Sequence, residues 1–361
     1  MHARKLLGLV AFAGLGAATV AAVEWNVVKQ QARDYVSFQN VAEFYHFGSY
    51  SHANRTISLR GEHRTIRAQA ETSELFINGV RFFTFFPLLE NGTGPLISAF
   101  DVGKLIEPVL RPSRIAQAER VETVILDPGH GGTDQGTSSR WGAEKDLALE
   151  VALTARNELL RTGYKVEMTR FTDIGLSLEQ RVEFASQFRN AVFISIHFNS
   201  ASGGAGVESY ALAPEGVVSN AASGDHDLSA TGTQAEPGNA QDSQNIALAA
   251  AVHAAVLSRS SAIDRGIRHA RFKVLRQIRI PALLLEGGFL NDPVEGQRLA
   301  TPQYRQQLGT AIAQGIQGYN AAVNYRASDS TFAYVRTTLP PHASSITEPL
   351  HQPPAPAHGT E

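Results

Sequence analysis

A histidine surrounded by glycines stands directly after an apolar run, in the stretch VILDPGHGGTDQG from Val124 to Gly136. Glycine lets the backbone turn sharply and lets other groups approach it closely. The pattern predicts that His130 lies at the mouth of the fold, just beyond a buried strand, where an imidazole can bind a metal. A lone histidine can equally be an ordinary turn residue, so the prediction depends on partners elsewhere in the chain.

Three further residues suited to metal binding or proton transfer fall at comparable places. His197 follows the apolar run AVFISI, Glu286 follows ALLL, and Glu144 begins a helix pattern after the glycine-containing loop. In open parallel sheets, ligands bind beyond the carboxyl ends of the strands. Each residue alone could be a core histidine, a helix-start carboxylate or a salt-bridged strand end. The prediction of a site comes from finding all of them at one sheet edge.

Two histidines and one glutamate form a common open zinc site, which leaves one coordination position for water. We assign His130, Glu144 and His197 as metal ligands, with one Zn²⁺ per chain and no other cofactor. A metal in such a site lowers the pKa of water and polarises a carbonyl. Glu286, at the end of an apolar strand, is partly desolvated and suited to accept the proton of that water and pass it to a leaving amine.

The elements that must position these residues alternate between strand and helix patterns over residues 120–322. This alternation predicts an α/β domain with a mostly parallel central sheet and helices on both faces. Ser177 followed by Gln180 predicts a capping box, and Gly163 predicts a helix end. The predicted strands are ETVIL, YKVEMTR, AVFISI, GVESYAL, FKVLR and PALLLEGG. The predicted helices are EKDLALEVALTARNELLRTG, SLEQRVEFASQFRN, NIALAAAVHAAVLSRS and TPQYRQQLGTAIAQGIQGY.

Residues 24–115 predict a small α+β module ahead of that domain. Helical spacing in QQARDYVSFQNVAEFYHFG is followed by short strand patterns with two NG turns and a closing helix, DVGKLIEPVL. The module contains no convincing catalytic cluster. Its scattered histidines, His46, His52 and His63, are expected to be ordinary surface residues.

The two ends of the chain have different compositions from the domains. A positive start and an apolar, small-residue run predict a signal peptide over residues 1–23. An uncleaved membrane anchor is the alternative, because the run nearly spans a bilayer. Either way, the mature protein is expected to be exported to the periplasm or cell envelope, with no membrane association after cleavage. Residues 326–361, rich in Pro, Ser and Thr, predict a disordered tail.

Charge and cysteine content exclude several classes of function. The formal net charge of −2 gives no electrostatic basis for binding nucleic acid. The absence of cysteine excludes disulfides, cysteine zinc sites, a thiol nucleophile and a lipidated cysteine.

The motifs VILDPGHGGTDQG, EKDLALEVA, VEMTR with LSLEQRVEFA, FISIHFNS, GVE and PALLLEGGFLND occur in one order over about residues 121–322. In that order they resemble the zinc-dependent N-acetylmuramoyl-L-alanine amidases of amidase type 3. The resemblance implies His130, Glu144 and His197 as zinc ligands and Glu286 as the catalytic glutamate. It also implies hydrolysis of the amide between the lactyl group of N-acetylmuramic acid and the stem-peptide L-alanine, in cell-wall remodelling or cell separation.

Peptidoglycan is therefore the expected partner, while the need for an activator protein and the oligomeric state are left open. FINGVRFFTFFPLLENGTGPLISAFDVGKLIEPVLRP, within about residues 35–112, is similar to the small domain named after the N-terminal region of copper amine oxidases. That name does not imply copper binding. The module is expected to bind the cell wall or a partner protein.

The polar stretch from Pro214 to Ser243 is longer than compact amidases of this type need. Its Gly, Ser and Ala content, together with the entropy cost of ordering it, predicts a mobile flap that limits access to the cleft. His226, between Asp225 and Asp227, is expected to lie in a solvated turn rather than on the metal.

Five other basic residues receive supporting roles. Arg170 and Arg181 are expected to pair structurally around the sheet, and His253 to be a packing or surface residue. His269 and Arg271 are placed along the substrate cleft.

Two other functions compete with the amidase interpretation. A zinc carboxypeptidase needs an arginine clamp for a free carboxylate, and no segment indicates one. A scaffold without catalysis would have lost a ligand or the catalytic glutamate, yet all four residues are present.

Overall fold

The computed structural model describes residues 4–6, 24–201, 203–221 and 232–325. Of the predicted signal peptide, only Arg4–Leu6 is described, as a strand beside Trp25–Gln30. The rest of that segment, the predicted tail and His226 lie outside the described residues. Within the described part, no helix combines the length and apolar character needed to cross a bilayer.

The strands of the described residues belong to three sheets: an 11-stranded mixed sheet, a five-stranded sheet and a two-stranded ribbon. In chain order they are β1 Arg4–Leu6, β2 Trp25–Gln30, β3 Arg33–Ser37, β4 Ser49–Ala53, β5 Thr56–Arg60, β6 Thr65–Gln69, β7 Glu74–Ile77, β8 Val80–Phe83, β9 Leu89–Asn91, β10 Gly94–Ser98, β11 Thr123–Pro128, β12 Ser138–Ser139, β13 Gly142–Ala143, β14 Lys165–Met168, β15 Ala191–Asn199, β16 Val207–Leu212, β17 Asp264–Ala270 and β18 Ala282–Phe289.

The helices of the described residues are short in the N-terminal block, and the three longest all follow residue 143. They are α1 Phe38–Phe44, α2 Ala99–Asp101, α3 Glu107–Leu110, α4 Glu144–Arg161, α5 Leu178–Ala185, α6 Asp242–Ser260, α7 Lys273–Arg276, α8 Pro293–Leu299 and α9 Pro302–Asn324. A π-helical turn joins α2 to α3 over Val102–Ile106, and 3₁₀ turns cover Pro112–Arg114 and Pro237–Gln241.

The predicted α/β architecture is confirmed for the larger part of the chain. Strands β14, β11, β15 and β18 are neighbours in that order and run parallel. Strand β16 then runs antiparallel to β18, and β17 runs parallel to β16. One face packs under α4, α6 and α9, and the other packs under α5 and α7. Since consecutive residues of a strand point to opposite faces, Val124 and Ile125 enter different cores.

The predicted signals for the start of one helix and the end of another are confirmed. Ser177 and Gln180 form the predicted capping box of α5. Helix α4 ends at Arg161, and Gly163 just beyond it has a φ of 90°, a conformation glycine adopts without steric cost. Helix α1 begins only at Phe38, where Ser37 caps it, so the preceding residues of that predicted helix form strand β3 instead.

The prediction of a strand at FKVLR is wrong. Residues Lys273–Arg276 form helix α7, and the buried Val274 and Leu275 at its centre pack in the same apolar cluster as Phe272. A short apolar run of this length does not distinguish a strand from one helical turn. The packing against the sheet decides between them.

The N-terminal block is built mainly of strands and continues the larger sheet. Strand β8 pairs in parallel with β17 at Phe82 and Ile267, and antiparallel strands β7 to β4 follow outward. At this junction the Arg81 amide donates to Asp264 over 2.8 Å. The guanidinium of Arg268 lies 4.1 Å from the ring centroid of Phe83. The block therefore covers a sheet edge that would otherwise be open.

Candidate active site

His130 follows β11 in a left-handed conformation, with a φ of 57°. The glycines around it are required because neighbouring side chains approach the backbone closely, as well as by the turn. A Cβ on Gly129 would lie 2.3 Å from Cε1 of His197. A Cβ on Gly136 would lie 2.5 Å from Oε2 of Glu144. Glycine therefore lets one loop reach the side chains supplied by β15 and α4.

Glu144 is the first residue of α4 and is buried there. Its Oε2 accepts a hydrogen bond from the Thr137 amide over 2.8 Å, and its Oε1 accepts one from the Phe198 amide over 3.1 Å. These donors come from the loop before the helix and from β15, so they fix the carboxylate between the two histidines. The helix start also favours a negative charge.

The three predicted ligand residues meet at one point. Their candidate ligand atoms all lie within 4.8 Å of one another. Oε1 of Glu144 lies 3.0 Å from Nε2 of His130 and 3.0 Å from Nδ1 of His197. Two imidazole nitrogens and a carboxylate oxygen at such spacing match the donor set of an open zinc site.

The electrostatics of the cluster favour the metal-binding forms of Glu144 and His197, but not that of His130. Burial opposes the charge on Glu144, but hydrogen bonds and charge from His130 and His197 outweigh it and hold the pKa of that carboxyl well below its usual range. Burial lowers the pKa of His197, despite the attraction of Glu144, and so favours its neutral ring. Burial also opposes a charge on His130, yet Glu144 and Asp134 raise its pKa. Metal ligation needs an ionised carboxylate and neutral imidazoles.

Sequence analysis missed Asp134, although it stands in the first motif. Its Oδ2 lies 2.8 Å from Nδ1 of His130, the nitrogen on the side of the ring away from the Nε2 that approaches Glu144. A carboxylate in this position fixes the orientation of a ligand histidine. The signal available in the sequence was an acidic residue four positions after a glycine-flanked histidine.

Beneath the histidine loop lies a buried polar network with Arg170 and Arg181 at its centre. Arg181 donates to Asp127 over 2.6 Å and to the His130 carbonyl over 2.8 Å. Arg170 donates to the carbonyls of Pro128, Gly129 and Lys145. The predicted structural pairing of the two arginines is confirmed, because both donate to backbone carbonyls at this edge of the sheet and Arg181 also pairs with Asp127 of β11.

Glu286 lies on β18 in register with His197 of the parallel neighbour β15 and is 5% exposed. On its other side, antiparallel β16 places Glu208 directly opposite Glu286. The structure thus brings the fourth predicted residue to the same row of the sheet as His197. It also brings a second buried carboxylate, to which the GVE motif alone gave no role.

The prediction that His269 lines the cleft is wrong, whereas the prediction that His253 is a packing or surface residue is confirmed. His269 is buried against Phe85 of the N-terminal block, with ring centroids 5.1 Å apart. Burial first, and then the charge of Arg268, lowers the pKa of His269 to about 3. His253 is buried in α6 between Ser209 and Asp264, as a packing residue.

The prediction of a flap rooted near the metal is wrong. Strand β16 runs antiparallel to β18, so its start faces Glu286 while its end, Leu212, lies beyond the level of Leu284. Leu212 lies four residue steps along the strand from Glu208, a distance of about 13 Å. The polar stretch therefore leaves from the edge opposite to the site.

The described parts of that stretch are also packed. Arg271 donates to the carbonyls of Pro214, Val217 and Gln234, and so ties residues 214–221 to residues 232–243. Arg271 is buried in this role rather than lining the cleft.

A family model described as N-acetylmuramoyl-L-alanine amidase matches residues 124–318, more than half of the chain. The sporulation-specific N-acetylmuramoyl-L-alanine amidase of Bacillus subtilis (strain 168) is 30% identical over 213 residues, covering 58% of this chain and 72% of that protein.

Two further similar proteins are also named N-acetylmuramoyl-L-alanine amidases. The N-acetylmuramoyl-L-alanine amidase AmiC of Neisseria meningitidis is 34% identical over 225 residues, covering 55% of this chain and 53% of that protein. The crystal structure of an N-acetylmuramoyl-L-alanine amidase from Clostridium difficile 630 is 32% identical, with a TM-score of 0.45, and covers 56% of this chain and 97% of that one.

Proposed function

The chain belongs to the N-acetylmuramoyl-L-alanine amidase family and is a peptidoglycan amidase, and on that premise we propose that it is a zinc enzyme. Its substrate bond is the amide between the lactyl group of N-acetylmuramic acid and L-alanine of the stem peptide. Because peptidoglycan lies outside the cytoplasm, we place its action in the periplasm or cell envelope, in wall remodelling or cell separation.

His130, Glu144 and His197 would hold the Zn²⁺. The observation that supports this is the meeting of two ring nitrogens and one carboxylate oxygen within 4.8 Å. When bound, zinc supplies a Lewis acid that lowers the pKa of water and polarises the amide carbonyl. Asp134 holds the His130 ring in one orientation, and the Thr137 and Phe198 amides hold the Glu144 carboxylate.

Glu286 would act as the proton shuttle. Its carboxylate lies in the row of His197 and is largely shielded from solvent. There it accepts a proton from the attacking water and then donates that proton to the leaving L-alanine nitrogen. The amine leaves as a neutral group, and the carboxylate is regenerated.

The N-terminal block, residues 24–115, would bind the cell wall or a partner protein. Its continuous sheet with the catalytic part, through β8 and β17, supports a fixed placement relative to that part. Retention of the full chain on purified sacculi in the presence of chelator, compared with a chain carrying substitutions on β4 to β7, tests this role.

Digestion of purified sacculi tests the main proposal. The enzyme is stripped with chelator and assayed before and after addition of one equivalent of Zn²⁺, and the products are weighed by mass spectrometry. We expect zinc-dependent release of stem peptides that begin with a free L-alanine amine. Release of single amino acids from the end of the stem would instead identify a carboxypeptidase, and equal activity without metal would exclude zinc dependence.

A further inference from the structure

We propose that Glu208 is a positioning residue for Glu286: it occupies two arginines that would otherwise draw the Glu286 carboxylate away from the cleft. The proposal rests on the proposed role of Glu286 in moving the proton. It assigns a role to a buried charge cluster on β16 and β17 that the three-ligand site and its proton shuttle do not use.

Strand register places the two glutamates on one face of the sheet. Glu208 of β16 is the antiparallel partner of Glu286 of β18, and His197 is the parallel partner of Glu286 on the other side. Directly opposed residues in an antiparallel pair have Cβ atoms about 4.5–5.5 Å apart. A change at Glu208 therefore acts on the immediate neighbour of the catalytic carboxylate.

The carboxylate of Glu208 is almost fully buried, with 1% exposure, and is held by four groups. Arg265 donates through Nε over 2.7 Å, Tyr210 through its hydroxyl over 2.8 Å and Asn199 through its amide over 3.2 Å. Nε of Arg268 lies 3.6 Å away. The polar partners therefore satisfy both oxygens of the buried carboxylate, which lies between the two guanidinium groups.

A β-bulge brings Arg265 to this position. Val207 pairs with Asp264, whereas the next residue, Glu208, pairs with Gly266, so Arg265 is the extra residue of β17. Bulges commonly redirect a side chain beside an active site. Here the redirected guanidinium also lies 4.7 Å from the ring centroid of Phe289, at the end of the strand that contains Glu286.

Removing the charge of Glu208 would leave Arg265 without its main anionic partner, on the strand beyond β16 as seen from Glu286. The Arg265 side chain is 31% exposed, so it is only partly shielded from water, and without Glu208 it attracts any anion that can turn toward it. Glu286 is the carboxylate directly opposite in the ladder. An ion pair between Glu286 and Arg265 would hold the carboxylate over β16 rather than toward His197.

The test is kinetic, measured per zinc-loaded and folded chain. Glu208→Gln should retain zinc and lower kcat on a soluble muropeptide by about 10²-fold, the loss typical of a misplaced reacting group, with little change in KM. Replacing Arg265 as well, in Glu208→Gln with Arg265→Gln, should restore kcat to within about threefold of the wild type, because the competing cation is gone.

Two comparisons separate positioning from a general structural role. Asp242→Asn removes another buried carboxylate paired with a cation, Lys104 at 3.0 Å, and should lower the melting temperature without changing kcat. In a Glu286→Gln background, Glu208→Gln should have no further effect on kcat, since the group that it positions is already inert.

Should Glu208→Gln fail to fold, the decisive pair is Glu208→Gln with Arg265→Lys against Glu208→Gln with Arg265→Gln. The variant that keeps a cation should be slow and the one without it should be fast. Equal rates for the two, or a wild-type kcat in Glu208→Gln, would overturn the inference while leaving Glu286 in place. Full activity in Glu286→Gln itself would instead overturn the proposed role of Glu286.

Discussion

The two edges of the larger sheet hold polar chain segments in opposite ways. At the carboxyl edge of β11, β15 and β18, glycines let His130, Glu144 and His197 converge until their ligand atoms are within 4.8 Å. At the opposite edge, one buried arginine, Arg271, ties the described ends of a long polar stretch to the sheet through backbone carbonyls. In the first arrangement, side-chain nitrogen and oxygen atoms meet at a common point. In the second, each nitrogen of the arginine guanidinium donates to a backbone carbonyl.

This difference follows from strand direction. Parallel strands bring their carboxyl ends, and the loops after them, to one edge. The reversed strand β16 carries the polar stretch to the other edge, although its first residues lie beside Glu286. Changes at the carboxyl edge should therefore alter metal binding and rate, and changes at the opposite edge should alter stability alone.

The largest effect on activity is expected from His197→Ala. Loss of one ring nitrogen opens the ligand set, so bound zinc and amidase activity should disappear together. Metal content by mass spectrometry and the release of stem peptides are the measurements. The control is His52→Ala, which removes a histidine of the N-terminal block and should keep both bound zinc and activity. Near-native zinc binding in His197→Ala would show that the ligand assignment is wrong.

Glu286→Gln comes next. The amide keeps the shape of the side chain but cannot accept a proton, so kcat should fall by roughly 10² to 10⁴-fold, as for other losses of general acid–base catalysis. Zinc content should stay at the wild-type value. A parallel loss of zinc would move Glu286 from the proton-transfer role to the ligand set.

A smaller effect is expected for Asp134→Asn. The amide is a weaker partner for Nδ1 of His130, so zinc affinity should fall by about 10 to 100-fold, as for other residues that orient a ligand histidine. Competition with a chelator of known affinity measures this. Asp173→Asn is the matched control, since Asp173 binds the Gly132 amide of the same loop but not the histidine ring.

The smallest effect on activity is expected for Arg271→Ala at the opposite edge. Three carbonyls lose their donor, and the free energy of unfolding should fall by about 2–3 kcal/mol through unsatisfied buried groups. Rates on sacculi and on a soluble muropeptide should be unchanged relative to the wild type. A selective rise in sacculus cleavage would show that the polar stretch reaches the cleft after all.

The sequence was a good guide to the elements that contain periodic patterns and capping signals. The α/β class, helix α4 with its end before Gly163, and the capping box of α5 are all present. Errors occurred where a pattern was short, as at Lys273–Arg276, which forms a helix in place of the predicted strand. They also occurred where a strand's direction mattered, as for the polar stretch after Leu212.

The sequence by itself determined which residues could form the site, because two histidines and two glutamates stand together at the ends of apolar runs and at a helix start. Alternation along a strand fixes which face a residue takes, and parallel βα order fixes the edge. Neither fixes which strands become neighbours or whether one runs backwards. Only the tertiary structure placed Glu208 opposite Glu286, redirected Arg265 through a bulge and joined β8 to β17, because register and neighbours are decided by how whole faces pack.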